Sequence, residues 1–212
     1  MSTKRQEAGI KNQGQEIKKG GSQFRTQISK LIFITGGAKS GKSASALKLA
    51  GSISGKKAYL ATAQPLDMEM AERIKKHRSD RGDCWATIEE PLDISNIIKN
   101  NSKYNVILLD CLTIWISNLM HKKTTGTFQE TSITDEKSVS QTVYREVDNL
   151  INTCRVSNAN FIIVSNEVGL GIVPDNPLAR LFRDIVGFAN QKMAEAADEV
   201  YLVVSGITTR IK

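Results

Sequence analysis

The chain has 212 residues and no long apolar run. Its aliphatic and aromatic stretches are short, about four residues in Phe161-Ile162-Ile163-Val164, whereas a membrane span needs roughly 18–20. No apolar leader-like segment follows Met1, so a cytoplasmic location is the expectation. Cysteine is scarce: Cys84, Cys111 and Cys154 form no C-x-x-C pair and leave an odd count. That argues against a disulfide framework or a zinc site and suits reduced thiols. Internal repeats are absent, and no N-K-x-D guanine-specificity motif follows any apolar run, since Asn166-Glu167-Val168-Gly169 does not fit it. The second absence disfavours a nucleotide-dependent switch module.

Net charge is also scarce where it would matter. The chain carries +7, but residues 1–30 hold seven basic residues against Glu7 and Glu16, a net +5, leaving only +2 for the rest. This first segment is poor in large apolar residues and rich in Gln, Lys and Gly, so it is expected to be a mostly disordered, solvated basic tail. Residues 31–212 are expected to form one domain with a sizeable core. The near-neutral body disfavours nucleic acid as a partner.

What is present is sharper. Gly36-Gly37-Ala38-Lys39-Ser40-Gly41-Lys42-Ser43 fits G-x-x-x-x-G-K-[ST], directly after the apolar run Leu31–Thr35 and before the helix-forming run Ala44–Ala50. Glycines let successive backbone N–H groups converge on an anion, and the following helix adds its N-terminal partial charge. Lys42 then reaches the β- and γ-phosphates, and the Ser43 hydroxyl can ligate Mg²⁺. The pattern points to a nucleoside triphosphate.

From Leu31 onward, strand-like runs at 31–35, 57–61, 105–110, 160–165 and 199–205, with a weaker one at 85–88, alternate with helix patterns near 43–50, 67–78, 93–99, 113–122, 135–155 and 177–197. Most of the strands are apolar without alternation, as expected when both faces are covered. The fold class is therefore α/β: a mostly parallel sheet with helices on both faces. Ser205-Gly206 followed by Ile207–Ile211 reads as a closing hairpin that adds an antiparallel edge strand. Residues 122–134 read as an exposed polar loop.

Ligands of such sheets sit at the carboxyl ends of the strands. Asp110, ending the run Val106–Leu109, suits the Mg²⁺ shell beside a phosphate loop. His77 extends the Met70–Ile74 stripe, which by spacing reads as a partly buried structural histidine. Its neighbours Lys75, Lys76, Arg78 and Arg81 allow a second reading, a neutral imidazole that attacks phosphorus. His121, before Lys122 and Lys123, suits a cation at a helix C-terminus. The loop Ser165–Pro174 reads equally as a ligand loop or a tight connection. Arg180 and Arg183 read as surface ion pairs ahead of a phosphate clamp.

Taken together, these stretches resemble the bifunctional adenosylcobinamide kinase/adenosylcobinamide-phosphate guanylyltransferase family of cobalamin biosynthesis. The resemblance covers about Leu31 to Lys212. It rests on the phosphate loop, Tyr59-Leu60-Ala61-Thr62-Ala63, Glu69–Ile74 leading to His77, Ser165–Pro174, Leu178–Ile185 and Leu202–Ile207. It implies a RecA-like phosphate-loop domain, a homotrimer, and two reactions. ATP or GTP phosphorylates the aminopropanol hydroxyl of adenosylcobinamide; GMP is then transferred from GTP to that phosphate through a guanylylated histidine. It implies His77 as that histidine, which displaces the structural reading, and Lys42 as its partner in catalysis. It further implies nucleotide contacts at Gly36, Gly37, Ala38, Lys39, Ser40, Gly41, Lys42, Ser43, Ala61, Thr62, Ala63, Arg78, Ser79, Asp80, Arg81, Glu89 and Asp110, with Ser43 and Asp110 at the metal. Three positions depart from the usual pattern: Asp110 where Glu is frequent, Lys76 where a second histidine is frequent, and Lys39 where Arg is common. The rival readings are a phosphate-loop kinase of another small metabolite and a nucleic-acid-dependent ATPase.

Overall fold

The computed structural model of the chain describes residues 29–65, 67–79, 84–123 and 133–212; within these, the side chains of residues 73, 76, 77, 123 and 133–135 are not described. The seven strands are β1 (Leu31–Gly36), β2 (Lys57–Ala61), β3 (Trp85–Glu89), β4 (Val106–Asp110), β5 (Asn160–Asn166), β6 (Glu199–Val204) and β7 (Ile207–Arg210). The helices are α1 (Lys42–Ser52), α2 (Met68–Ser79), α3 (Ile94–Asn100), α4 (Leu112–Lys123), α5 (Ile133–Val156) and α6 (Pro177–Ala196). The strands form one sheet in the order β3-β2-β4-β5-β1-β6-β7. All neighbours are parallel except the hairpin pair β6 and β7.

The sequence explains why the sheet is parallel at its centre. β1, β4 and β5 are near-continuous apolar runs and are buried along almost their whole length. Such strands suit a sheet covered on both faces. One face carries a large core in which Phe33, Leu109, Phe161 and Ile163 meet Trp115 of α4, Leu150 of α5 and Ile185 of α6. On the other face Ile32, Ile34, Leu108, Ile162 and Val164 pack on Ala46 and Ala50 of α1. Trp115 is buried with its indole N–H donating to Leu92 O at 2.8 Å, so the apolar ring is covered without stranding its donor. Helix α6 begins as its sequence requires: Pro177 opens it, and the Asn176 side chain accepts from Ala179 N–H at 3.1 Å.

Most boundaries agree with the sequence reading within one or two residues. Residues 133 and 134, expected in the exposed loop, are already helical in α5, and residues 124–132 lie outside the described part. The expected tail, residues 1–28, lies outside it as well. Lys30, counted with that tail on composition, is tied into the body: its N–H donates to Asn160 Oδ1 at 3.1 Å and its amino group to Glu199 Oε1 at 2.8 Å. No described helix is long and apolar enough to cross a membrane.

Candidate nucleotide site

Parallel pairing brings the carboxyl ends of β1 to β6 to one edge of the sheet, and the chemically interesting residues collect there. The phosphate loop leaves β1 at Gly36. A Cβ at Gly36 would collide with the carbonyl oxygen of Val203 and lie 2.8 Å from Ser40 Oγ, so this close approach admits only glycine. Gly41 caps α1 with φ 96°, a left-handed conformation that glycine adopts without steric penalty. No side chain caps this helix, and the first-turn N–H groups of a helix have no internal partners. An anion can therefore meet several donors at once.

Lys42, the first residue of α1, is buried, and its amino group donates to Gly37 O at 2.9 Å, holding the loop closed on itself. Burial pulls its pKa below the ordinary value of 10.5, while nearby Cys111 and Asp110 pull the other way. Among the described residues, Ser40 Oγ and Thr35 Oγ1 are buried without a hydrogen-bond partner. Each stranded hydroxyl costs about 1–3 kcal/mol unless it finds a ligand or water oxygen. The loop is held from behind by the C-terminal hairpin: Gly206 N–H donates to Ser40 O at 2.8 Å, and the Ser45 and Thr208 hydroxyls are 2.8 Å apart.

Asp110 ends β4 on the face that carries α1. The Tyr59 hydroxyl donates to its Oδ2 at 2.6 Å and fixes the carboxylate from below. The Asp110–Cys111 peptide bond is cis. Cys111 N–H donates to Thr62 Oγ1 and the Thr62 hydroxyl donates to Cys111 O, both at 2.9 Å. Thr62 is fully buried, and its own carbonyl accepts from Asn118 at 2.8 Å. Of the Ala61–Ala63 segment, Thr62 thus spends its hydroxyl on joining the ends of β2 and β4 and its carbonyl on α4, and Ala61 and Ala63 stay half-buried at the edge.

Glu89 ends the edge strand β3 in register with Ala61, which is in turn in register with Asp110. Arg78, in the last turn of α2, donates to Glu89 Oε1 at 2.5 Å. That pair is half-exposed and adds little stability, but it ties the end of α2 to the edge that carries the phosphate loop. His77 is the residue before this tie, and Ser79 ends the helix. Asp80 and Arg81 lie outside the described residues. Within the loop, Gly37, Ala38 and Lys39 are exposed and Ser43 is half-buried. Among the described residues no group of three or more His, Cys, Asp or Glu could hold a metal ion.

The loop after β5 is anchored by a buried network that sequence spacing does not disclose. Ser165 Oγ is 3.0 Å from Thr113 Oγ1 and 2.7 Å from Asn190 Oδ1. Asn166 N–H donates to Thr113 Oγ1 at 2.6 Å, Asn190 Nδ2 donates to Asn166 O at 3.1 Å, and Glu167 N–H donates to Gly36 O at 2.9 Å. The partners come from β5, α4, α6 and the phosphate-loop strand, so no local motif signals them; only the polar residues interrupting the apolar stripe of α6 hint at it. Among the described residues, Arg180 does not pair with an acid as expected. Its guanidinium donates to Pro174 O at 3.0 Å and Asp175 O at 2.6 Å, closing the far end of this loop. Arg183 does pair with Asp184, at 3.3 Å, as its spacing suggested. His121 is exposed in the last turn of α4.

Comparison with known proteins adds to this geometry. The family described as cobinamide kinase / cobinamide phosphate guanyltransferase matches residues 32–211. The bifunctional adenosylcobalamin biosynthesis protein CobU of Escherichia coli strain K12 is 43% identical over 183 residues, 86% of this chain and 99% of that protein. CobU of Salmonella typhimurium is 42% identical over the same shares. CobP of Pseudomonas aeruginosa is 35% identical over 84% of this chain and 95% of that protein. Among solved structures, an ATPase from a bacterial type III secretion system superposes with a TM-score of 0.53 at 10% identity, over 86% of this chain and 58% of that one. At that identity the likeness concerns the fold, and it agrees with a RecA-like arrangement.

Proposed function

This chain belongs to the cobinamide kinase / cobinamide phosphate guanyltransferase family, and from that premise we propose that it carries out both reactions at the carboxyl edge of its sheet. In the first, the aminopropanol hydroxyl of adenosylcobinamide takes the γ-phosphoryl group of ATP or GTP. In the second, adenosylcobinamide phosphate takes GMP from GTP, giving adenosylcobinamide-GDP and pyrophosphate. The observation that supports a two-centre site is the Arg78–Glu89 tie, which ends the His77 helix on the sheet edge that carries Lys42 and Asp110.

For phosphoryl transfer, Gly36–Ser43 hold the phosphates through backbone N–H groups, and Lys42 neutralises the β- and γ-oxygens. Ser43 and Asp110 fit Mg²⁺: one hydroxyl and one carboxylate are hard oxygen donors, and this ion is usually held by one or two protein groups with phosphates and water. When bound there it would offset the charge building on the transferring phosphate. Tyr59 holds one oxygen of the Asp110 carboxylate in place. Buried Lys42 loses less to water screening than an exposed lysine would, so its charge acts at greater strength.

For guanylyl transfer, a ring nitrogen of His77 attacks the α-phosphorus. The bond to the α–β bridging oxygen breaks, and pyrophosphate leaves with that electron pair. A phosphate oxygen of adenosylcobinamide phosphate then attacks the same phosphorus, the N–P bond breaks, and the imidazole is restored. Arg78, Ser79, Asp80, Arg81 and Glu89 are assigned to the guanine nucleotide around this step. Ala61, Thr62 and Ala63 line the same strand end, Thr62 by setting the position of its neighbours. The α-phosphate reaches His77 by a shift of nucleotide or of residues 67–83 between the two reactions. We assign the chain to the cytoplasm and, as its working form, to a homotrimer.

Incubation with GTP labelled at either phosphate tests the reading. Acid-labile covalent label is expected from α-labelled GTP only, and is expected to vanish in His77→Ala while γ-phosphoryl transfer to adenosylcobinamide continues. Label that persists in His77→Ala sinks the assignment.

A further inference from the structure

The loop between β5 and α6 takes no part in holding the nucleotide as assigned above. It leaves β5 beside the phosphate loop, where Glu167 N–H donates to Gly36 O at 2.9 Å. It then runs to α6, on the face of the sheet opposite α1. The strand ends assigned to the guanine nucleotide, those of β2 and β3, lie on the far side of β4.

Surface loops are ordinarily polar, yet no side chain from Val168 to Val173 carries a polar group. Val168 packs against the core, whereas Leu170, Ile172 and Val173 are 85%, 96% and 59% accessible. Gly171, between them, is not demanded by the fold. Its φ is outside the left-handed region, and a Cβ there would meet no described atom within 4 Å. A glycine that the chain does not need for itself suits close approach of a ligand to the backbone. The loop is nonetheless held at both ends. Glu167 Oε1 accepts from Gly169 N–H at 3.1 Å, and the Arg180 guanidinium donates to Pro174 O and Asp175 O. Aliphatic groups held out in water at the rim of a phosphate site mark a place for an apolar ligand, and holding them in advance lowers the cost of binding it.

We propose that residues 169–173 are the docking surface for the corrin ring of the acceptor, adenosylcobinamide or its phosphate; this rests on the two-reaction reading above. That acceptor is a broad ring edged with methyl groups and uncharged carboxamides. Its reacting hydroxyl, or phosphate, sits at the end of one side arm. Leu170, Ile172 and Val173 cover aliphatic surface of the ring, and Gly171 admits it to the backbone. The exposed peptide groups of this uncharged stretch meet the carboxamides. A ring seated there lies next to the phosphate loop, so its side arm reaches the transferring phosphorus from the β5 side while the nucleotide keeps the β2 and β3 side. Both reactions take the same ring, and one surface serves both.

The test is steady-state kinetics of the double variant Leu170→Ser/Ile172→Ser and of Gly171→Val, each with adenosylcobinamide and with adenosylcobinamide phosphate as acceptor. Loss of apolar contact should raise the KM for both acceptors at least about 10-fold. The kcat at saturating acceptor and the nucleotide KM should stay within about threefold, the pattern of lost uniform binding. Covalent label from α-labelled GTP, which needs no acceptor, should reach the wild-type extent. Should the double variant fail to fold by circular dichroism, Gly171→Val decides by the same criteria. Acceptor KM values within about threefold of wild type overturn the docking surface and leave the two-reaction reading standing. A fall in sedimenting mass with parallel loss of nucleotide and acceptor binding also overturns it, because the loop would then cover a contact between copies. A wild-type protein that transfers no phosphoryl group to adenosylcobinamide overturns the docking surface and the two-reaction reading together.

Discussion

At the residue scale, the site shows how burial divides labour between similar groups. Cys111 sits beside Asp110 and Lys42, where a thiolate would be a strong nucleophile. Burial first, and the Asp110 charge second, push its thiol up to about 12. It therefore stays protonated at neutral pH and serves through its backbone, which Thr62 grips from both sides. Lys42 is shifted downward by the same desolvation but has the Asp110 carboxylate nearby and a carbonyl partner to hold its charge. Tyr59 illustrates a role that no sequence pattern discloses, since it meets Asp110 across 51 positions of chain. With Asp110 at the metal as proposed, Tyr59→Phe removes the donor that holds its carboxylate. Loss of such an outer partner typically weakens metal affinity or activity 10- to 100-fold. The Mg²⁺ concentration for half-maximal phosphoryl transfer should rise accordingly, with the covalent label from α-labelled GTP reduced less; an unchanged Mg²⁺ titration would count against the orienting role.

At the scale of elements, the site is assembled by ties between strand ends rather than by any one motif. The hairpin of β6 and β7 backs the phosphate loop, and the Thr113–Ser165–Asn190 network locks α4 and α6 to the end of β5. Asn190→Ala would leave Ser165 and the Asn166 carbonyl short of a partner in a buried setting. A loss of about 1–3 kcal/mol is expected in urea unfolding, with an unchanged m-value. Most of these elements were legible in the sequence. Apolar runs of four or five residues between turn signals gave the strands, and Asn176-Pro177 gave the start of α6, because those cues act within a few residues. The ties were not legible: hydroxyls and carboxamides look alike in sequence whether they face water or one another. Arg180 is the clearest case, with two carbonyls as partners where a surface acid was expected.

At the scale of the whole molecule, the sheet ends in β7, all of whose residues are exposed, with Ile207 71% accessible and Val204 at the end of β6 57%. Apolar surface of this kind, with an unpaired strand edge, is what association between copies covers. Sedimentation equilibrium is expected to give three times the chain mass, and a monomer at micromolar concentration would remove the trimer. The amino-acid sequence by itself determined the phosphate loop, the strand–helix alternation and the family, because each depends on residue type at short, fixed spacing. The tertiary structure alone decided which strand ends lie side by side. The order β3-β2-β4-β5-β1-β6-β7 sets β5 between the loop and Asp110, and it does so through hydrogen bonds and packing between segments far apart in the chain, which no local pattern encodes.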